Sequence, residues 1–340
     1  MSKPKVLYIP TVSHADRVFR KETFERMLDI FDVKINGTNT NWTTEQVAKE
    51  IAGFDALVTG WGTPNLSEEV FENADKLRII AHSAGSVKVF LKNDVVEKYI
   101  IPRNITVFSA NDAIAINVAE STIGYMIMVS HRFMDHALAI RNSGVWHHPN
   151  LPINGQYLTG STVGIVSASK VGRHVMELLK PFRVKTLVYD PYLSDWEAGK
   201  LGVYKVELDD LFAQSDFVTI HAPSIPQTHN MIGERQFKLL RDGAVFINTS
   251  RGSVVDHDAM LAEAQTGRIL IALDVTSPEP LPSDSPFRKL TNVIITPHIS
   301  GAGFYGYFTI GSTTLQALED FFAKKPVVGA VDFSRYDLIG

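Results

Sequence analysis

The stretch from Gly164 to Asp190 constrains this chain more than any other. Thr162 to Val166 is a short, β-branched apolar run that suits a buried strand. Val171, Val175, Leu178, Leu179 and Phe182 recur at helical spacing and predict a helix with one apolar stripe. Thr186 to Tyr189 predicts a second buried strand, with Asp190 at its carboxyl end. Strand, tight turn, helix, strand and terminal acid make the opening unit of a dinucleotide-binding fold.

The turn departs from the usual G-x-G-x-x-G pattern and reads Ser167-x-Ser169-x-x-Gly172. Gly172 stands where close packing of helix and strand needs a glycine. A serine at a position wanting positive φ is strained, because its Cβ crowds the carbonyl. Its hydroxyl can offset part of that strain by donating to a phosphate. Ser167, Ser169, Lys170, Val171 and Gly172 are therefore the candidates to face a pyrophosphate at a helix N-terminus. Asp190, 18 residues after Gly172, is near the offset at which an acid holds ribose hydroxyls. An ordinary βαβ unit would satisfy the turn equally well.

A chain of 340 residues suits about two domains. Its 45% hydrophobic and 21% charged content can bury a normal core. The net charge of −4 comes without a basic block, so neither nucleic acid nor a membrane surface is an expected partner. No apolar run reads as long enough to span a bilayer. The absence of cysteine excludes disulfides, thiolate catalysis and Cys-based zinc sites. It fits a reducing compartment, and with no signal-peptide core at the N-terminus a cytoplasmic location is expected.

Along the chain, Lys5 to Ile9, Phe54 to Val58, Leu77 to Ala81 and Ile105 to Phe108 predict strands, with a helix around Phe24 to Phe31. Strands alternating with helical segments imply a parallel α/β sheet. Val118 to about Trp146 predicts one long helix, broken by His147-His148-Pro149. The paired histidines lack a third ligand at zinc-like spacing, so an exposed loop and no metal are expected. Beyond Asp190, strands are predicted at Phe217 to His221, Ala244 to Asn248, Ile269 to Leu273 and Val293 to Ile295. Asp256 can cap a helix that Gly267 closes, and Tyr305 to Phe322 predicts a last helix.

Three strand-end loops each offer one residue suited to chemistry: Arg251, Glu279 and His298. Arginine can hold a carboxylate bidentately. Histidine is the usual proton donor near neutral pH, and a carboxylate beside it would fix its tautomer. The set suits reduction of a 2-keto acid by a nicotinamide. Each residue also has a plain reading, as a surface ion pair, a solvated loop acid and a satisfied core histidine.

In order along the chain, these motifs resemble the D-isomer-specific 2-hydroxyacid dehydrogenase family. Ile247-Asn-Thr-Ser-Arg-Gly-Ser-Val-Val-Asp256 is similar to its arginine signature, Asp274-Val-Thr-Ser-Pro-Glu279 to its acidic loop, and Thr296-Pro-His298 to its histidine motif. The resemblance implies two doubly wound parallel-sheet domains, a Rossmann-type cofactor domain inserted into a flavodoxin-like substrate domain. The implied boundaries are 1–115 and 303–340 for the substrate domain, and 116–302 for the cofactor domain. It implies NAD as cofactor, a small 2-hydroxy or 2-keto acid as substrate, and a homodimer. Arg251 falls on the substrate arginine, with Glu279 and His298 on the proton-transfer pair. Asp274 falls on the residue that holds the nicotinamide carboxamide. His221, Ala222 and Pro223 look like the adenine-side stretch, and Thr249, Ser250 and Gly301 fall on cofactor positions. Gly85 and Ser86 align with amides that bind the substrate carboxylate.

Four positions depart from the family pattern. Ser167 and Ser169 replace glycines, Lys88 stands where an aspartate is common, and Ser277 where an acid often precedes the catalytic one. A nucleotide-sensing binding protein on the same fold is the alternative that the serine turn favours. Formate dehydrogenases are a narrower rival, but resemblance to them calls for glutamine in place of Glu279.

Overall fold

Alternation of side chains along short strands builds both sheets. In the computed structural model, which describes residues 3–338, the first sheet holds β1 (Lys5–Tyr8), β2 (Asp32–Ile35), β3 (Ala56–Thr59), β4 (Ile79–His82) and β5 (Thr106–Ser109). Their order is β2-β1-β3-β4-β5, every pair parallel. Leu7, Leu57, Ile80 and Val107 face one apolar core. Val6, Tyr8, Val58, Ile79, Ala81 and Phe108 face the other. A sheet buried on both faces needs such near-continuous apolar runs. The helix Phe304–Phe322 returns to cover the second face through Ile310, Leu315 and Leu318. Gly311 lets it approach the backbone at Val18 and Phe19, where a Cβ would collide.

The second sheet holds β6 (Thr162–Val166), β7 (Lys185–Tyr189), β8 (Tyr204–Lys205), β9 (Phe217–Ile220), β10 (Val245–Asn248), β11 (Leu270–Leu273) and β12 (Val293–Ile295). The order β12-β11-β10-β9-β6-β7-β8 is again wholly parallel. It reverses between β6 and β9, the arrangement of a dinucleotide-binding sheet, whereas the first sheet has the flavodoxin-like order. The expected fold class is thus the observed one. Contacts group the chain into one unit up to Ile114 with the segment from Ala302, and another from Ala115 to Gly301.

Three local expectations need correction. The helix after β6 spans Lys170–Leu179 and buries Gly172, Val175, Met176 and Leu179, while Leu178 is exposed. The stripe therefore runs through Met176 rather than Leu178. The single helix expected from Val118 to Trp146 is two, Asn111–Ser130 and Phe133–Ser143. Arg132 takes a left-handed φ of 52° between them, which no helix continues through. By length and composition, Asn111–Ser130 is also apolar enough to cross a membrane. The polar Asn117, Ser121 and Thr122 interrupt its apolar run and hide this in the sequence. Ala119, Tyr125, Met126 and Val129 of that helix pack into the core of the second unit.

Candidate active site

The cofactor turn is built as strand, strained corner and capped helix. Ser167 takes the corner at φ 80°, the left-handed region that glycine usually fills. The next position is different. Ser169 is extended and caps the helix, its Oγ accepting from Gly172 N at 3.3 Å. A Cβ on Gly172 would collide with the Ser167 carbonyl oxygen, so this glycine is required for the close approach. Asp190, one residue past β7, is braced by three donors. Ala168 N and the Ser167 hydroxyl donate to Oδ2 at 2.8 and 3.3 Å, and Tyr192 N donates to Oδ1 at 2.8 Å. Lys170 and Val171 open the helix beside these groups. Helix N-terminus, close glycine and strand-end acid at the β6/β9 reversal fit a dinucleotide.

His221 and Ala222, just past β9, are buried, with Pro223 half-buried beyond them. His221 Nε2 lies 3.1 Å from Thr219 Oγ1, while its Nδ1 is buried without a partner. Burial pushes its pKa down to about 3, so the ring is neutral.

Arg251, Glu279 and His298 follow β10, β11 and β12, three neighbouring parallel strands, so their loops rise from one end of the sheet. His298 Nδ1 and Glu279 Oε1 are 2.6 Å apart. The carboxylate accepts, so Nδ1 carries hydrogen and Nε2 is the atom left for a substrate. Both side chains are nearly half exposed. They border a cavity of about 540 Å³ that also touches Asp274, Thr276, Leu281 and Arg288. His298 itself sits at φ 54°, a costly conformation for a non-glycine residue. Its N–H is shared between Asp274 O at 2.9 Å and Thr296 O at 3.0 Å. Arg251 is exposed at the surface, and its Nη1 donates to Ser250 O at 2.7 Å. Crowding by protein atoms lowers its pKa while the Glu279 charge opposes this; a guanidinium stays charged in either case.

The supporting residues are mostly ones that the sequence motifs do not single out. Asp274 is buried and collects three donors: the Thr296 hydroxyl at 2.6 Å, Ile299 N at 2.9 Å and Ser300 N at 2.8 Å. Tyr125, on the helix Asn111–Ser130, closes this chain with its hydroxyl 2.5 Å from that of Thr296. Asn248 accepts from Ser250 N and Oγ and donates to Arg251 O, which shapes the arginine loop. A Cβ on Gly252 would collide with the Thr276 carbonyl, so the arginine and acidic loops pack backbone to backbone. His257 Nε2 accepts from Ser277 N at 3.0 Å, bracing the acidic loop from its other side. Thr249 is buried against Thr122, and Gly301 O accepts from Asn117 Nδ2 at 3.0 Å. Gly85 and Ser86 lie past β4 in the first unit, where Ser109 Oγ donates to Gly85 O at 2.6 Å. His147 is exposed and His148 half-buried. Among the described residues no three potential metal ligands converge.

Fold and turn together define a dinucleotide-binding protein made of two doubly wound units. Residues 123–300 match the family model described as D-isomer specific 2-hydroxyacid dehydrogenase, NAD binding domain. A D-3-phosphoglycerate dehydrogenase of Methanocaldococcus jannaschii is 34% identical over 261 residues, 76% of this chain and 48% of that protein. A glyoxylate reductase of Korarchaeum cryptofilum is 33% identical over 260 residues, 75% of this chain and 76% of that one. A phosphoglycerate oxidoreductase from Rhizobium etli, of known crystal structure, shares the fold with a TM-score of 0.81 and 24% identity, covering 97% of this chain and 98% of that one. The chain belongs to the D-isomer specific 2-hydroxyacid dehydrogenase family, and its cofactor is NAD. It spans about half the length of the D-3-phosphoglycerate dehydrogenases that it matches.

Proposed function

We propose that the protein reduces a small 2-keto acid to the D-2-hydroxy acid with NADH, and runs the reverse reaction with NAD. The observation that carries this reading is the 2.6 Å pair of His298 and Glu279 on loops adjoining that of Arg251. Arg251 holds the substrate carboxylate. Its positive charge also favours the negative charge that develops on the carbonyl oxygen. Protonated His298 gives its Nε2 proton to that oxygen, and Glu279 keeps Nδ1–H in place and offsets the ring's charge. Bound NADH supplies the hydride, so each turnover consumes one NADH and one proton. Asp274 sets the backbone of the His298 loop. The braced Asp190 receives the ribose hydroxyls, and the helix at Lys170 receives the pyrophosphate. In this reading the first unit is the substrate domain and the second the cofactor domain.

The proposal extends to a homodimer. The helix Phe133–Ser143 buries none of its residues, and Phe133, Met134, Leu138 and Ile140 on it are 41–53% exposed. Trp146 and Tyr157 beyond it are more exposed still. A patch of this kind is expected to meet a second copy. Sedimentation equilibrium should then give twice 37.7 kDa. The absence of cysteine is consistent with a cytoplasmic setting. The deciding experiment is NADH oxidation against a panel of 2-keto acids, with His298→Ala as control. Activity with none of them, or undiminished activity in the variant, refutes the reading.

A further inference from the structure

The acidic loop after β11 runs Ser277-Pro278-Glu279-Pro280 and is exposed throughout. Its two prolines have no N–H, so its backbone offers donors at Ser277 and Glu279 alone. Ser277 N donates to His257 Nε2 at 3.0 Å, and two residues on Glu279 Oε1 meets His298 Nδ1 at 2.6 Å. These two bonds tie residues 277–280 to other elements. His257, Ser277, Glu279 and His298 all lie in the second unit.

His257 opens the helix His257–Gln265, just after its cap Asp256. His257 Nδ1 lies 3.0 Å from Val255 O, which can only accept, so Nδ1 carries the ring's hydrogen. Ser277 N can only donate, so Nε2 must hold the lone pair. The two bonds together fix a neutral ring in one tautomer. A proton added at Nε2 would set one donor against another and break the bond to Ser277. His14, His82 and His221 are at most 5% exposed, whereas His257 is only half-buried and solvent protons reach it. Partial burial holds its pKa below the ordinary histidine value, while the Val255 carbonyl and the charges of Asp256 and Asp258 oppose this. Two elements pack against the ring. The acidic loop brings Glu279, and the turn Pro286–Lys289 brings Arg288 and Lys289, with Phe287 edge-on to the ring at 6.1 Å. Arg288 is engaged with Leu281 O and Pro282 O.

We infer that His257 is a positioning residue for proton transfer: neutral, it holds the acidic loop at Ser277 so that Glu279 meets His298, and protonated, it releases that loop. The inference rests on the reductase reading proposed above. Reduction of a keto acid takes up a proton, so proton supply alone would favour it as pH falls. His257 opposes this, because the same fall in pH loosens the support of the group that holds His298.

The test measures kcat from pH 8 downward, at saturating NADH and with the best substrate of the 2-keto acid panel, with circular dichroism confirming the fold at each pH. His257→Ala should lower kcat about 10- to 100-fold, as small misplacements of a reacting group do, with NADH affinity by fluorescence unchanged. His257→Gln puts an amide oxygen where Nε2 stood, which accepts from Ser277 N but does not titrate, and it should restore most of that loss. As pH falls below the ordinary histidine value of about 6.5, wild type should drop toward the alanine level while His257→Gln does not. A histidine that merely stabilised the fold would leave that profile unmoved. Equal acid-side profiles in wild type and His257→Gln, or a folded His257→Ala with wild-type kcat, overturn the inference while leaving the reductase reading intact. Should His257→Ala fail to fold, the comparison of wild type with His257→Gln decides alone. Failure of the wild type to reduce any acid of the panel overturns the reductase reading, and this inference with it.

Discussion

Buried neutral histidines should make this protein lose stability well before its carboxylates titrate. Burial holds His221 to a pKa of about 3, His82 to about 3 and His14 to about 4. In the unfolded chain each ring titrates near the ordinary histidine value of roughly 6.5. As pH falls below that value the unfolded state takes up protons that the folded state refuses. The stabilisation is therefore complete above the ordinary value and is lost as pH drops toward the depressed one. At pH 5 the ordinary value lies about 1.5 units higher, worth about 2 kcal/mol per ring at 1.36 kcal/mol per unit. That figure depends little on the folded-state value, provided it stays well below 5. His82 and His14 lie in the first unit and His221 in the second, where burial also lowers the pKa of His257, so both units should lose stability. His221→Gln tests the magnitude. Urea unfolding of both proteins, followed by circular dichroism at pH 8 and pH 5, should show the variant losing about 2 kcal/mol less than wild type between the two conditions. Any fixed cost of the substitution cancels in that comparison. Equal losses would mean that His221 accepts its proton in the folded state, and the reasoning from burial would be wrong.

Four further outcomes follow from the site. Glu279→Gln should lower kcat about 5- to 30-fold, the difference between a charged and a neutral hydrogen bond to His298, with NADH affinity by fluorescence unchanged. Gly252→Ala should drive the Thr276 backbone away, lowering stability by about 1–3 kcal/mol in urea unfolding and kcat/KM by about 100-fold. Replacing both Ser167 and Ser169 by glycine should weaken NADH binding by roughly 1.5–3 kcal/mol in calorimetry; tighter binding would mean that relief of the Ser167 corner outweighs any hydroxyl contact. Asp190, already braced by backbone donors, should repel a 2′-phosphate, so kcat/KM should favour NADH over NADPH and Asp190→Ala should narrow the gap.

Much of this architecture was legible because its signals are local. β6 and β12 lie at the predicted residues, and Asp256 caps the helix His257–Gln265 as expected, its Oδ1 accepting from Asp258 N and Ala259 N. Arg251, Glu279 and His298 could be picked out because strand-end loops are short and each holds one reactive residue. What escaped was polar or distant. β2 is an exposed edge strand of sequence Asp-Val-Lys-Ile, with no apolar alternation to reveal it. The helices Thr44–Glu50 and Asp195–Leu201 are short, and only their capping boxes at Thr43/Gln46 and Ser194/Glu197 announce them. The motif does not say which of its two serines takes the left-handed corner, and only Ser167 does. Tyr125 is 171 residues from Thr296, and no periodicity or motif links positions so far apart.

The contact of Gly252 with the Thr276 backbone bears on how such a protein can be re-engineered. It fuses the arginine loop and the acidic loop into one rigid part, so that neither can be lengthened or exchanged without displacing the other. Changes to either loop therefore have to be made in both at once, and the proton-transfer pair moves with them.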